Sequence, residues 1–198
     1  MNELTVSIRF ATGFRIGTGT AGGAYDEVVD RKDLLRASSM KGLLRAEART
    51  LLPGPDDPSG KKLDHPLVDA VFGGRQRRGA WHFRTELDAD PQVVPQVNLK
   101  LTDDGQAEAG HLLVKELVGL QQARLHITQT GPLTGYGLPE GSDPARYHLA
   151  LLHLSARMVE KVGQRRTRGL GWVALAVDGR DVAPDLDLVW SLREDGAA

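Results

Sequence analysis

The segment Gly163 to Gly171 reads GQRRTRGLG, three arginines set between three glycines. It follows a strongly helical stretch and runs straight into the strand-like Trp-Val-Ala-Leu-Ala-Val of residues 172–177. That order is a strong constraint on the fold. Glycine loops of the Rossmann and P-loop kinds lie between a strand and the helix whose N-terminus holds the phosphate, and they carry G-x-G-x-x-G or a terminal Gly-Lys-Ser/Thr. This loop has neither. It does have glycine for left-handed backbone and close approach, successive N–H groups that can form an anion-binding concavity, and guanidinium forks suited to phosphate oxygens. Two readings follow: a polyanion lying across the loop, or a solvated turn with incidental arginines.

At 198 residues the chain suits one domain with room for an insertion, and it is long enough to bury roughly 70% of its unfolded surface. It has no apolar run of about eighteen residues and no charged-then-apolar leader, so neither a membrane span nor a signal peptide is expected. The lack of cysteine excludes disulfides and thiolate metal sites and fits a cytoplasmic protein. A net charge of -1 rules out a generally basic coat, so a polyanion must be met locally. The positive charge is clustered accordingly, at Arg31, Lys32 and Arg36, at Lys41, Arg45 and Arg49, at Arg75, Arg77 and Arg78, and at Arg165, Arg166 and Arg168.

Leu4 to Phe10 alternates apolar and polar residues, the period of a strand with one buried face. Thr12 to Tyr25 is too rich in glycine for a helix and reads as a long mobile loop. From Ser38 or Ser39 as N-cap, Met40, Leu43, Leu44, Ala48, Leu51 and Leu52 form a helical stripe that Pro53-Gly54-Pro55 ends. On that helix Lys41, Arg45 and Arg49 stand four apart and line one flank. Pro55 to Lys62 reads as a polar loop, His65 to Phe72 as a short helix before Gly73-Gly74, and Trp81 to Leu87 as a strand. Asp88 to Gly110 reads as an excursion from the core, a hairpin-like arm continuing to about Gly119. Arg124 to Thr130 is a strand. Asp143 and Pro144 open a helix through Lys161, with Gly163 as its C′ residue; Trp172 to Val177 and Leu186 to Leu192 read as strands.

Stripped of loops, the order is strand, helix, strand, arm, strand, helix, strand. This predicts an α+β fold with a ferredoxin-like or RRM-like β-α-β-β-α-β core, one domain over residues 1–198 with an arm inserted at about 88–119. The aromatic residues with which an RRM stacks single-stranded bases are missing from the last core strand, where Val173, Leu175 and Val177 stand. RNA would be gripped by its backbone.

Several motifs now occur in order: a glycine-rich loop leading to GAYDEVV at Gly23 to Val29, RASSMKGLLR at Arg36 to Arg45 opening a basic helix, Phe72-Gly73-Gly74, and GQRRTRGLGWV. Together they resemble the RAMP superfamily of CRISPR-associated proteins, and most closely the backbone subunit that repeats along the crRNA in type III effector complexes. The likeness covers residues 4 to 178. The family's helix start, Pro-Gly-Ser-Ser-Leu-Lys-Gly, is matched at Ser38, Ser39, Met40, Lys41 and Gly42, with Arg36-Ala37 in place of Pro-Gly. The family's cleaving aspartate lies in the loop after the first strand, and the match puts Asp26 there, with Tyr25 replacing an aliphatic residue and Asp30 and Asp33 close by.

The resemblance implies a subunit that binds crRNA through Ser38, Ser39, Lys41, Arg45, Arg49, Gly163, Arg165, Arg166, Arg168 and Gly169, and that cleaves complementary target RNA with Asp26. It implies a divalent cation, Mg or Mn, that is not tightly bound. It also implies, as partners, crRNA and target RNA, further copies of the chain in a head-to-tail filament, and other type III subunits, with no membrane. By the same resemblance the arm at 88–119 looks like a thumb hairpin. A non-catalytic structural subunit of the same complex is the alternative. His65 and Asp69, which share one helical face, offer a different class, a small-molecule hydrolase.

Overall fold

The computed structural model describes residues 1–57, 59–60, 62–75, 77–164 and 169–195. In chain order the described elements are β1 (Glu3–Phe10), α1 (Ala37–Leu51), β2 (Pro53–Asp56), β3 (Lys62–Asp64), α2 (Pro66–Phe72), β4 (Trp81–Leu87), β5 (Gln92–Leu101), β6 (Ala107–Gly119), β7 (Gln122–Gln129), α3 (Pro144–Met158), β8 (Val173–Ala176) and α4 (Val182–Asp195). None of these helices is long and apolar enough to cross a membrane.

Alternation builds the main sheet. In β1, Leu4, Val6, Ile8 and Phe10 are buried while Glu3, Thr5 and Arg9 face solvent. The strands lie in the order β4-β7-β1-β8 and every pairing is antiparallel. Register places like against like: Val6 opposite Leu125, Ile127 opposite Phe83, and Ile8 opposite Leu175. Onto this apolar face α1 lays Met40, Leu44 and Ala48, and α3 lays Ala150, Leu151 and Leu152, all in one continuous core. The other face carries Thr5, Arg9, His82, Arg84 and Arg124. Counting only this sheet and its two helices, the order is β1, α1, β4, β7, α3, β8, the α+β arrangement the sequence pattern predicts. The arm is a hairpin, β5 paired with β6 from Gln92 opposite Gly119 to Leu101 opposite Ala107.

Five local expectations are corrected. First, α1 begins at Ala37 with Arg36 as N-cap and no side-chain cap, because Leu34 and Leu35 are buried and the Thr85 hydroxyl donates to the Leu35 carbonyl at 2.7 Å, fixing the chain before the serines. Second, part of the supposed loop at Pro55 to Lys62 belongs to a small ribbon, with Asp56 opposite Lys62.

Third, α3 stops at Met158, not Lys161. Val159 is extended, and it and Val162 turn inward to be buried, so Gly163 is not the C′ residue. Fourth, Leu186 to Leu192 is helical within α4: Asp185, Val189 and Leu192 are buried and Leu188 packs against the core, a helical spacing that the coincident alternation of leucines conceals. Fifth, the glycine-rich loop after β1 is packed down. Phe14 is fully buried and stacked on Phe10 at 4.8 Å, and it exchanges main-chain hydrogen bonds with Val118 of β6.

Candidate nucleic-acid interface

The pairing of β1 with β8 brings two glycine-rich segments side by side. Phe10 is opposite Val173, and the pairing continues beyond both strands. Ala11 N–H donates to the Trp172 carbonyl (2.9 Å), Trp172 N–H to the Thr12 hydroxyl (3.0 Å), Gly171 N–H to the Gly13 carbonyl (2.9 Å) and Gln164 N–H to the Arg15 carbonyl (2.8 Å). The glycines follow from this closeness. Gly163 (φ 85°) and Gly171 (φ 72°) are left-handed, and a β carbon on either would collide with a main-chain carbonyl, that of Arg15 or of Val162. Gly169 (φ 78°) has open space around it, so conformation alone selects glycine there. Arg165, Arg166 and Arg168 lie outside the described residues; Gln164 and Gly169 frame them.

Beneath this seam lies a buried ion cluster. Arg15 is 0% exposed. Its Nε donates to Gln164 Oε1 at 3.3 Å and its Nη2 stands 3.5 Å from Glu27 Oε2, which also receives Lys115 Nζ at 2.8 Å. Burying charge is costly unless opposite charge meets it, and Glu27 meets two cations at once. Gly17 shows how close the segments come, since a β carbon there would collide with the Glu27 carboxylate and lie 3.2 Å from Gln164 Oε1.

Asp26, next to Glu27, is exposed. Its N–H donates to the Val114 carbonyl (2.8 Å) and its Oδ2 accepts from the Val114 N–H (2.7 Å), so one carboxylate oxygen is held against the root of the arm. Asp30 is engaged locally, accepting from Lys32 N–H at 3.0 Å and from Arg36 at 3.4 Å. Asp33 is exposed.

The basic stripe on α1 divides. Lys41 is half-buried with its ammonium 5.5 Å from the Phe83 ring centre, and burial, helped by the Arg45 charge, lowers its pKa. Arg45 forks onto Asp64 and reaches Asp69 at 3.1 Å, and Arg49 meets Asp64 at 2.5 Å. Burial would raise the Asp64 carboxyl, but hydrogen bonds from Arg49 and Arg45 outweigh it and hold its pKa below the ordinary value. Asp69 is pushed up instead, by burial and by the Asp64 charge. Arg45, Arg49, Asp64 and Asp69 line a cleft of about 700 Å³ with Arg75, Arg77 and Tyr136, and neither Lys41 nor Asp26 is part of its lining. Ser38 is exposed and Ser39 half-buried in the first turn of α1.

His65 does not face Asp69 as a catalytic partner. Its Nδ1 caps α2 by accepting from Leu67 N–H at 3.1 Å, while Asp69 is tied to Arg45. Sequence reasoning missed Arg15, Glu27, Lys115 and Gln164. The one local signal is the triplet Phe14-Arg15-Ile16, a charge between two buried apolar residues.

The sequence model of the RAMP superfamily matches residues 8–174. No curated protein matches the chain. Among solved structures, a chain of the type III-B Cmr-beta complex bound to cognate target RNA, determined by cryo-EM, superimposes with a TM-score of 0.52 at 17% identity over 87% of this chain. The match spans only 58% of that chain. A chain of the apo Cmr-beta complex gives a TM-score of 0.60 at 11% identity, over 91% of this chain and 98% of that one. At such identities the likeness is one of fold.

Proposed function

The chain belongs to the RAMP superfamily of CRISPR-associated proteins, and from that premise we propose that it is a crRNA-binding backbone subunit of a type III effector complex that cleaves RNA complementary to its guide. The observation that carries this reading is the seam itself. Gln164, at the start of the loop that holds Arg165, Arg166 and Arg168, is bonded to Arg15, and Arg15 is paired with Glu27, the neighbour of Asp26. The residue that opens the arginine-bearing loop and the neighbour of an exposed carboxylate are thereby tied into one local unit, which supports a phosphate grip acting beside a cleaving acid. Backbone contacts are blind to sequence and base pairing supplies specificity, the division of labour of guided effectors. A chain of the same fold belongs to a type III-B Cmr-beta complex bound to cognate target RNA, which supports target RNA and other effector subunits as partners; a guide RNA and further copies of this chain head to tail complete the proposal.

Cutting follows from geometry at a displaced nucleotide. A flipped ribose can align its 2′-oxygen with the adjacent phosphorus; that oxygen bonds to phosphorus, the 5′-oxygen leaves, and the proton lost from the 2′-hydroxyl is balanced by one gained on the leaving oxygen. Asp26 would accept the first proton, or hold a divalent ion. The donor set fits a shared ion only: no group of three or more His, Asp or Glu among the described residues could hold a metal, and hard cations seek six or so oxygens, so RNA phosphates would complete the shell around Asp26. When bound, such an ion supplies positive charge against the phosphate.

A second reading, a non-catalytic structural subunit, is favoured by the hydrogen bond that engages Asp26 Oδ2 with the Val114 N–H. Asp26→Asn separates the two. An amide oxygen can still accept from Val114, so the loop stays in place while the charge is removed. The assay is cleavage of a labelled complementary RNA by the chain assembled on a guide, with and without Mg²⁺. We expect cutting to fall roughly 100-fold or more with guide binding intact, and Asp30→Asn and Asp33→Asn to cut normally. A wild type that never cuts, whichever divalent ion is supplied, or three variants that all cut at its rate, would leave a crRNA-binding scaffold.

A further inference from the structure

We infer that Lys115 and Glu116, at the root of the arm, are positioning residues that hold the Asp26 loop in its cutting geometry, so that the arm and the acid move as one body. The inference rests on the reading of Asp26 as the cleavage carboxylate.

Successive residues of β6 grip successive residues of the loop. Val114 exchanges two hydrogen bonds with Asp26. Lys115, its side chain 10% exposed, gives its ammonium to Glu27 at 2.8 Å. Glu116 donates its N–H to the Glu27 carbonyl at 3.1 Å, and its side chain, 5% exposed, accepts from Val29 N–H at 2.9 Å and from Arg31 at 2.5 Å. Residues 26–29 thus lie along β6 as a strap, bridged to it in parallel at Glu27 and Lys115.

Any sequence could make the main-chain bonds of such a strap. The side-chain bonds are different, because a buried ammonium and a buried carboxylate are tolerated only where partners meet them. Lys115 and Glu116 therefore specify where the loop sits along β6. Farther out along the hairpin, Leu99 and Leu112 stand opposite each other and are both more than half exposed, a surface open to RNA. A tilt imposed on the arm there reaches Asp26 through this residue-by-residue strap. Glu27 passes the same displacement to Arg15 and hence to Gln164, so arm and arginine loop converge on one carboxylate.

Position matters because a catalytic group misplaced by about 1 Å costs roughly 100-fold in rate. The test uses the full chain assembled on a guide RNA of defined sequence, carrying Lys115→Met, Lys115→Arg, Glu116→Gln or Asp26→Asn. Single-turnover cleavage of a labelled complementary RNA is measured at saturating protein, beside guide affinity, target affinity and thermal midpoint. Lys115→Met and Glu116→Gln should cut on the order of 100-fold more slowly with unchanged affinities, and Lys115→Arg should restore the rate. If Lys115→Met fails to fold, Glu116→Gln and Lys115→Arg carry the comparison. Wild-type cutting by Glu116→Gln beside an inactive Asp26→Asn overturns the inference and spares the reading of Asp26. A parallel loss of rate, affinity and thermal midpoint, unrelieved by Lys115→Arg, overturns it in favour of a purely structural role. Wild-type cutting by Asp26→Asn removes the reading of Asp26, and the inference with it.

Discussion

The carbonyl oxygen of Arg15 occupies the space that a side chain on residue 163 would need, so Gly163 is fixed by a neighbour as well as by its own backbone. Left-handed backbone alone costs an alanine about 1–2 kcal/mol. Gly169→Ala meets that cost only, whereas Gly163→Ala must also push the two glycine loops apart. Thermal unfolding should show the larger fall for Gly163→Ala, at about 2–4 °C for each kcal/mol. Equal falls would mean that the seam opens without resistance.

If the loop meets phosphates, replacing Arg165, Arg166 and Arg168 together by Ala should weaken RNA binding for every sequence alike. It should also flatten the dependence of log affinity on log salt, by about 0.7 for each phosphate of a single strand that is no longer neutralised. Filter binding across a salt series measures both. An unaltered slope at undiminished affinity identifies the loop as an ordinary turn.

Burial lowers the pKa of His65 and of His148 below the ordinary 6.5. The unfolded chain therefore takes up protons on these rings before the folded chain does. Stability is full above about pH 6.5 and declines as pH falls from there toward the folded values. The neutral His148 ring suits its site, with Nδ1 accepting from Trp81 Nε1–H and Nε2 facing the Thr134 carbonyl, each at 3.1 Å. Urea unfolding between about pH 7.5 and pH 5 should show this decline, and His148→Gln should remove part of it, up to about 1.4 kcal/mol per pH unit. A variant with the wild-type slope would clear His148 of the effect.

On the proposed reading, a nearly neutral chain with clustered cations would gain affinity when neighbouring copies share one RNA. Sizing the protein on guides of increasing length should give stepwise growth, the mark of head-to-tail association. One fixed size on all lengths excludes the filament.

The main sheet was legible because burial on one face writes itself into β1, β4 and β7 as alternation. The same rule misread Leu186 to Leu192, where leucines two apart also fit a helix whose buried side is Asp185, Val189 and Leu192. The loop glycines could be recognised as demanding unusual backbone, but not which carbonyl crowds them. The cluster of Arg15, Glu27 and Lys115 was invisible for a plainer reason. Lys115 and Glu27 stand 88 positions apart, and a lysine in a strand looks the same whether water or a carboxylate receives it.

The central place of β1 has a consequence for synthesis. It is made before either of its partners, so one of its edges waits for β7 and the other for β8, and Phe10 keeps its β8 side open until Val173 exists. Throughout that interval a strand carrying Leu4, Val6, Ile8 and Phe10 stands ready to pair with whatever lies near, including its twin on the next ribosome. The last partner to be translated closes the sheet, so a chain stopped short of β8 is committed to aggregation or chaperone custody, and truncation before Val173 should remove the protein from the soluble pool rather than trim its function.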